Sequence, residues 1–207
     1  MPFENSIPDR IIWVSPDGDD SNSGSRNAPL QSIQLAIDRA VPGTAIMLMP
    51  GDYSGSFEFE KIEGTEDKPI WLAAADGPGT VTITAPSSSD TIITIQGEDN
   101  IIIRDLTLVG GYDGISVNQS GQDFTDLVNN IVIEGNTIIG AAHDGIKVGQ
   151  TSNVLIYNNT VNGAGEQGID CLGVTNAVID GNEIMNVTGS SGIFVKGGSS
   201  DVLIANN

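Results

Sequence analysis

A four-residue phrase that returns every two dozen residues constrains this chain more than anything else in it. Gly114-Ile115-Ser116-Val117 recurs as Gly145-Ile146-Lys147-Val148, Gly168-Ile169-Asp170-Cys171 and Gly192-Ile193-Phe194-Val195, at offsets of 31, 23 and 24 residues. A second phrase follows each of these: Asn130-Ile131-Val132-Ile133, Asn153-Val154-Leu155-Ile156, Asn176-Ala177-Val178-Ile179 and Asp201-Val202-Leu203-Ile204, with an earlier copy at Asn100-Ile101-Ile102-Ile103. Six positions after each start stands an asparagine (Asn136, Asn159, Asn182, Asn207), replaced by Leu106 in the earliest copy. A unit this short cannot bury its own apolar face, so it must stack on its neighbours. A period near 23 with two or three short strands per turn predicts an all-β parallel β-helix, a solenoid of ~23-residue coils. Leucine-rich repeats share the length but need leucines at fixed offsets, which are absent. Coils stack at about 4.8 Å, so asparagines at equivalent turns can bond from coil to coil, and we read them as structural.

The N-terminal part reads as the beginning of such a solenoid. Residues 11–14 form a first strand, and residues 29–40 a short helix with Ile33, Ala36, Ile37 and Ala40 on one face, ended by Pro42-Gly43. That helix caps the open first coil. Residues 44–49, 57–59, 70–74 and 80–84 supply further strands. The chain is read as a single domain over 1–207, with strand and cap helix in 1–43 and coils in 44–207. It stops at Asn206-Asn207 inside a repeat, which we take for a C-terminal truncation of a longer protein.

Twenty-seven acidic residues against 8 basic ones give a net charge of −19. That field repels nucleic acid and anionic membranes, and an acidic partner must meet local cations, either lysines or bound metal. No run of about 20 apolar residues offers a membrane span. The opening residues lack the basic and apolar regions of a signal peptide. Cys171 is the sole cysteine, inward by alternation, so no internal disulfide is expected. Asp17-Gly18-Asp19-Asp20-Ser21-Asn22 lacks the trailing glutamate of an EF-hand and reads as a plain turn.

One face breaks the pattern. In Gly-Ile-x-Val-y the Ile and Val enter the core, so x and y face outward. Column x holds Ser116, Lys147, Asp170 and Phe194; column y holds Asn118, Gly149, Leu172 and Lys196; the residues ahead of the glycines are Asp113, Asp144, Gln167 and Ser191. His143, the sole histidine, adjoins Asp144, and Gln150 follows Gly149. Outward positions elsewhere are mostly Thr, Ser and Asn. Lys147, Lys196 and His143, the carboxylates of Asp113, Asp144 and Asp170, and the neighbouring Asn118, Gln150, Gln167 and Phe194 are therefore the candidate site residues. Each also has a plain reading: Lys147–Asp170 as a cross-coil ion pair, Asp113-Gly114 and Asp144-Gly145 as turns, Lys196 as a solvated strand end, His143 as a surface residue, Phe194 beneath a loop. Asp113 and Asp144 in adjacent coils repel unless a cation lies between them. Residues 118–129 lengthen one coil and are expected to wall the face.

Trp13-Val14-Ser15-Pro16-Asp17-Gly18-Asp19-Asp20, Gly24-Ser25, Pro29 and Ile33-Gln34-Leu35-Ala36-Ile37, with Pro50-Gly51-Asp52-Tyr53 and Gly64-Thr65 through Pro69-Ile70, resemble the pectate-lyase-like superfamily of right-handed parallel β-helix proteins. The resemblance covers nearly the whole chain and implies the fold more sharply than the reaction, because epimerases, hydrolases and adhesins share it. It implies an acidic polysaccharide as partner, calcium held by Asp113, Asp144 and Asp170, Lys147 or Lys196 as base, and β-elimination on uronates such as pectate or alginate. A mannuronan C5-epimerase-like enzyme and a non-catalytic adhesin or glycan-binding scaffold are the alternatives. It further implies an extracellular or cell-surface monomer. Two departures stand out: Arg10, Arg26, Arg39 and Arg104 all lie off the candidate face, and of the Asp-Pro-His-Asp type of motif seen in alginate epimerases Ala142-His143-Asp144-Gly145 matches the second half alone. A lyase requires Asp144, Lys147, Asp170 and Lys196 to share one cleft, whereas a scaffold requires no such convergence.

Overall fold

The computed structural model describes residues 6–118 and 127–207. They form three parallel sheets wound as a solenoid. Eight strands make the largest sheet: Arg10–Val14, Thr44–Leu48, Ile70–Ala74, Ile101–Arg104, Val128–Glu134, Thr151–Tyr157, Thr175–Asp180 and Ser200–Ala205. A six-stranded sheet, called the site sheet below, holds Phe57–Phe59, Ile93–Gln96, Ile115–Asn118, Ile146–Gly149, Gln167–Leu172 and Ser191–Lys196. The third sheet holds Gly51–Ser54, Val81–Thr84, Thr107–Val109, Thr137–Ile139, Thr160–Asn162 and Glu183–Met185. Each coil visits the large, third and site sheets in that order. The register keeps the repeat phrases in line, with Ile146 on Ile169 and Val154 on Ala177.

The core is a column of inward side chains. From the site sheet come Ile115, Val117, Ile146, Val148, Ile169 and Cys171, and from the large sheet Ile131, Ile133, Val154, Ile156, Ala177 and Ile179, all buried. Cys171 is a small buried core residue, and that burial raises its thiol pKa to about 12. The recurrent glycine has a steric cause. A Cβ on Gly145 would stand 2.6 Å from the Gly168 carbonyl oxygen and 2.4 Å from Val161. Coil stacking thus leaves no room for a side chain where site-sheet strands begin.

Two asparagine columns do different work. Asn100, Asn130, Asn153 and Asn176, with Asp201, adopt left-handed backbone with φ between 51° and 59°, a conformation asparagine and aspartate tolerate best among residues with a Cβ. Asn136, Asn159, Asn182 and Asn207 form the expected ladder. The Asn159 side-chain oxygen accepts from the Asn136 backbone N–H at 2.9 Å and its Nδ2 at 3.1 Å, and the Asn159 amide donates in turn to Asn182 at 3.0 Å. At the end of the ladder, where Leu106 replaces asparagine, the Leu106 N–H still donates to Asn136 at 3.1 Å.

The helix spans Ile33–Asp38, with Ser32 accepting from the Leu35 N–H at 3.2 Å as its N-cap. Ile33, Ala36 and Ile37 close the core end. Residues 17–22 form a turn that serves this helix: Asp20 Oδ1 accepts from the backbone N–H groups of Gln31 and Ser32 at 3.0 and 2.8 Å. No described helix is long and apolar enough to cross a membrane.

One expectation fails on the large sheet. Its outer face is not mostly Thr, Ser and Asn. Trp71, Ile102, Val132, Leu155 and Val178 stand in register along it, and Ile102, Val132 and Leu155 are buried in a cluster of their own. Stacked coils place equivalent apolar residues side by side, so an outward column removes itself from water.

Candidate functional site

The outer face of the site sheet gathers the candidate residues, and much of it is buried. Asp113, Ser116, Asp144, Gln167 and Asp170 are exposed by 4% or less. Alternation sends these side chains away from the core, as expected, but they do not reach solvent freely.

Asp113 and Asp144 precede the glycines that open their strands, where the backbone turns and the next coil offers an N–H. Asp113 Oδ1 accepts from the Asp144 N–H at 3.0 Å, and Asp144 Oδ1 from the Gln167 N–H at 3.0 Å. These are the turn residues of the plain reading, and each also faces the His143 ring. His143 Nδ1 lies 3.0 Å from both Asp113 Oδ1 and Asp144 Oδ2, so the group between the two carboxylates is an imidazole. The other ring nitrogen, Nε2, lies 2.5 Å from Glu166 Oε2. Tyr112 stacks on the ring with centroids 4.5 Å apart.

The lysine pairing differs from the cross-coil pair anticipated. Lys147 Nζ contacts Asp144 Oδ2 at 3.4 Å, three residues away, and Asp170 Oδ2 is taken by Lys196 at 3.0 Å. Lys147 still sits beside Asp170 in the strand register. Burial pulls the Lys147 pKa down, but the negative fields of Asp113, Asp144 and Asp170 outweigh it and hold the ammonium above its usual value. Burial pushes Asp144 up from the ordinary carboxylate range, against the Gln167 N–H and the neighbouring cations. Asp170 Oδ1 is buried with no hydrogen-bond partner among the described residues. An orphaned carboxylate oxygen costs about 1–3 kcal/mol or more and needs an explanation outside packing.

The sugar-contact candidates divide. Phe194 is 40% exposed and has Lys196 Nζ over its ring at 4.8 Å, so no loop among the described residues buries it. Asn118 is half-buried, with its Nδ2 donating to Ser116 Oγ at 2.7 Å. Gln150 is a left-handed turn residue with φ 50°, bonded through its backbone to Leu172. Gln167 is withdrawn: it is 3% exposed, and its amide donates to Ser190 Oγ at 2.8 Å and Glu166 Oε1 at 3.2 Å. Both its N–H groups are used inside the protein. Of the expected wall, residues 119–126 lie outside the described residues.

Tyr112 and Glu166 were missed from sequence, although a signal exists. Backbone bonds from His143 to Tyr112 and from Glu166 to His143 show that Tyr112, His143, Glu166 and Ser190 form one column, a single residue ahead of Asp113, Asp144, Gln167 and Ser191. Extending the columns by one position finds them.

With this geometry in hand, the kinship of the chain can be stated. It belongs to the right-handed beta helix region family, whose model matches residues 80–207, and a model for a protein of unknown function (DUF1565) matches residues 16–61. It is a right-handed parallel β-helix solenoid related to the pectate-lyase superfamily, and it is similar over part of its length to pectate lyases. It is 35% identical to pectate lyase PEL9 of Emericella nidulans over 118 residues, 50% of this chain and 29% of that protein. It is 40% identical to pectate lyase L of Dickeya chrysanthemi over 76 residues, 32% of this chain and 17% of that one. Among solved structures, pectate lyase Pel9A aligns with a TM-score of 0.62 at 19% identity, over 87% of this chain and 56% of that one. XylC in complex with xylose aligns with a TM-score of 0.61 at 11% identity, over 95% and 62%. At such identities the structural likeness speaks for the fold. The matched regions span less than a third of these two curated pectate lyases and just over half of Pel9A.

Proposed function

We propose that this protein is a calcium-assisted polysaccharide lyase that cleaves uronate-containing glycans such as pectate or alginate by β-elimination. The observation that carries the reading is the alternation of Lys147 and Lys196 with the buried carboxylates of Asp144 and Asp170 on one sheet face, with one Asp170 oxygen left unpartnered. The pectate lyases among its partial relatives support the substrate class.

The fit to calcium divides the candidate ligands. Calcium takes six to eight oxygens, and the free Asp170 oxygen suits it, substrate carboxylate and water completing the shell. Asp113 and Asp144 are both engaged by His143, at 3.0 Å each, and belong to a different group. When bound, calcium neutralises the substrate carboxylate and acidifies the C5 proton. Lys147 is our choice of base over Lys196, because its 3.4 Å contact is looser than the 3.0 Å pair that ties Lys196 to Asp170. As the free protein stands, Lys147 is an ammonium and removes no proton; its base form requires that the fields of Asp144 and Asp170 be offset. Lys196 and Phe194 then form a half-exposed platform for the neighbouring sugar, charge over carboxylate and ring over ring. His143, held at both nitrogens by carboxylates, positions Asp144 rather than serving as the acid. A polymeric acidic substrate is met outside the cell, and we extend the proposal to an extracellular or cell-surface monomer.

Ultraviolet detection of unsaturated products on pectate, alginate and glycosaminoglycans, with calcium and with chelator, tests the reading. Calcium-dependent product that falls about 10²–10⁴-fold in Lys147→Ala supports it. Glycan binding without product on any substrate refutes it, and hydrogen-isotope exchange at C5 then separates an epimerase from a binding scaffold.

A further inference from the structure

We infer that Asp113, His143 and Asp144 form a site for a divalent transition metal of the zinc class, separate from any calcium held at Asp170. One ligand atom from each of the three residues lies within 4.8 Å of the other two. Two of the three are carboxylates exposed by 4% or less, on successive coils, so the site is built into the stack and not scattered over a surface.

Three observations point to a metal and to its class. The first is the donor set. An imidazole nitrogen between two carboxylates suits zinc and its neighbours in the first transition row, whereas calcium takes oxygen. The second is spacing. Bonds of roughly 2.0–2.1 Å at tetrahedral angles put ligand atoms about 3.3 Å apart. His143 Nδ1 stands 3.0 Å from Asp113 Oδ1 and from Asp144 Oδ2, so a metal needs only a slight opening of the group. The third is the outer shell. A metal-bound histidine almost always gives its other ring N–H to a carboxylate, which fixes the ring and raises its basicity. His143 Nε2 faces Glu166 Oε2 at 2.5 Å, and Tyr112 holds the ring plane from one side. Both aspartates are oriented too, each by a backbone N–H from the next coil.

Charge agrees. Asp113, Asp144 and Glu166 bring three negative charges, and Lys147, the cation against Asp144, returns one. The two that remain are the charge one divalent ion neutralises. Three protein ligands leave a further position for water at a ring that is 22% exposed. The site thus ties the coil of Asp113 to that of His143 and Asp144, beside Lys147. It does not rest on the lyase reading, and its test needs no substrate.

Zinc and cobalt(II) are titrated alone into the metal-stripped full chain, with calcorimetric stoichiometry and the visible absorption of bound cobalt as readouts, and calcium is run in parallel. The expected result is one zinc per chain, an affinity about 10–100-fold weaker in Glu166→Gln, loss of the site in His143→Ala, and no change in Asp170→Asn. Far-UV circular dichroism checks that His143→Ala folds; Glu166→Gln, altering a half-exposed residue, carries the test if it does not. No stoichiometric zinc binding overturns the inference and leaves His143 as a proton-bridged strut. Zinc binding indifferent to both Glu166→Gln and His143→Ala, or calcium taken with the same dependence on His143, overturns it as well.

Discussion

The two outer faces of this solenoid are built by the same stacking and carry opposite chemistry. On the large sheet, Trp71, Ile102, Val132, Leu155 and Val178 run in register as one apolar column. On the site sheet, the equivalent outward column reads Ser116, Lys147, Asp170 and Phe194. Both columns contain residues with almost no exposure. Stacking at about 4.8 Å amplifies whatever a column repeats. Carbon beside carbon leaves water at a gain, so the first face contributes to stability. Charges beside charges must be answered one at a time, and an oxygen left without a hydrogen bond, such as Asp170 Oδ1 beside its paired Oδ2, costs stability with no structural return. The comparison separates a face that holds the molecule together from a face the molecule maintains for another purpose.

The contrast can be broken by substitution. The largest effect is expected from Lys147→Ala: a 10²–10⁴-fold loss of product formation, with a smaller stability loss of about 1–2 kcal/mol because buried Asp144 loses its cation. If stability falls as much as activity, the charged face is structural after all. Next comes Leu155→Ala on the apolar face, expected to cost about 2–5 kcal/mol in urea unfolding while glycan binding persists. A loss below about 1 kcal/mol would show that this column adds little. Asp170→Asn, at similar burial, is expected to shift stability by less than about 1 kcal/mol, because its partner Lys196 remains about one-third exposed and regains water. Calcium affinity should fall in that variant, and calorimetry reads both quantities.

The smallest effect sharpens the same point through pH. Burial leaves Asp144 with a pKa above that of the unfolded chain. The folded form therefore holds its proton more tightly, so this residue's contribution to stability is present at low pH and is lost as pH rises through the window between the two values. Asp144→Asn should be more stable than the parent near neutrality, and the advantage should shrink as pH falls toward the ordinary carboxylate range. Urea titrations at a series of pH values check the sign.

The coils were legible because Gly-Ile-x-Val and Asn-Ile-x-Ile repeat at fixed offsets, and stacking forces equivalent residues into contact. The asparagine ladder followed from the same logic. The third sheet was hardly visible: Thr137–Ile139 and Thr160–Asn162 are three residues long with one inward side chain each, too little for a period of two to register. The apolar outer column was missed although Val132, Leu155 and Val178 sit in the quoted phrases. Outward means polar for an isolated strand, but not for a stack, where equivalent apolar residues cover one another. At the site, residue types and the shared face could be read, but ion-pair partners could not, since Lys147 reaches back to Asp144 while Lys196 reaches across to Asp170. Side-chain length and rotamer decide that choice, and sequence offsets do not encode them.

The asparagine ladder also bears on how such a molecule changes size. Each amide satisfies a backbone group of the adjoining coil, and it does so identically at Asn136, Asn159 and Asn182. A duplicated coil would meet the same donor below and the same acceptor above, so a gene that gains or loses one repeat still encodes matched joints. The length of the face presented to a polymer can then evolve in whole steps, like links added to a chain, without redesign of any single link.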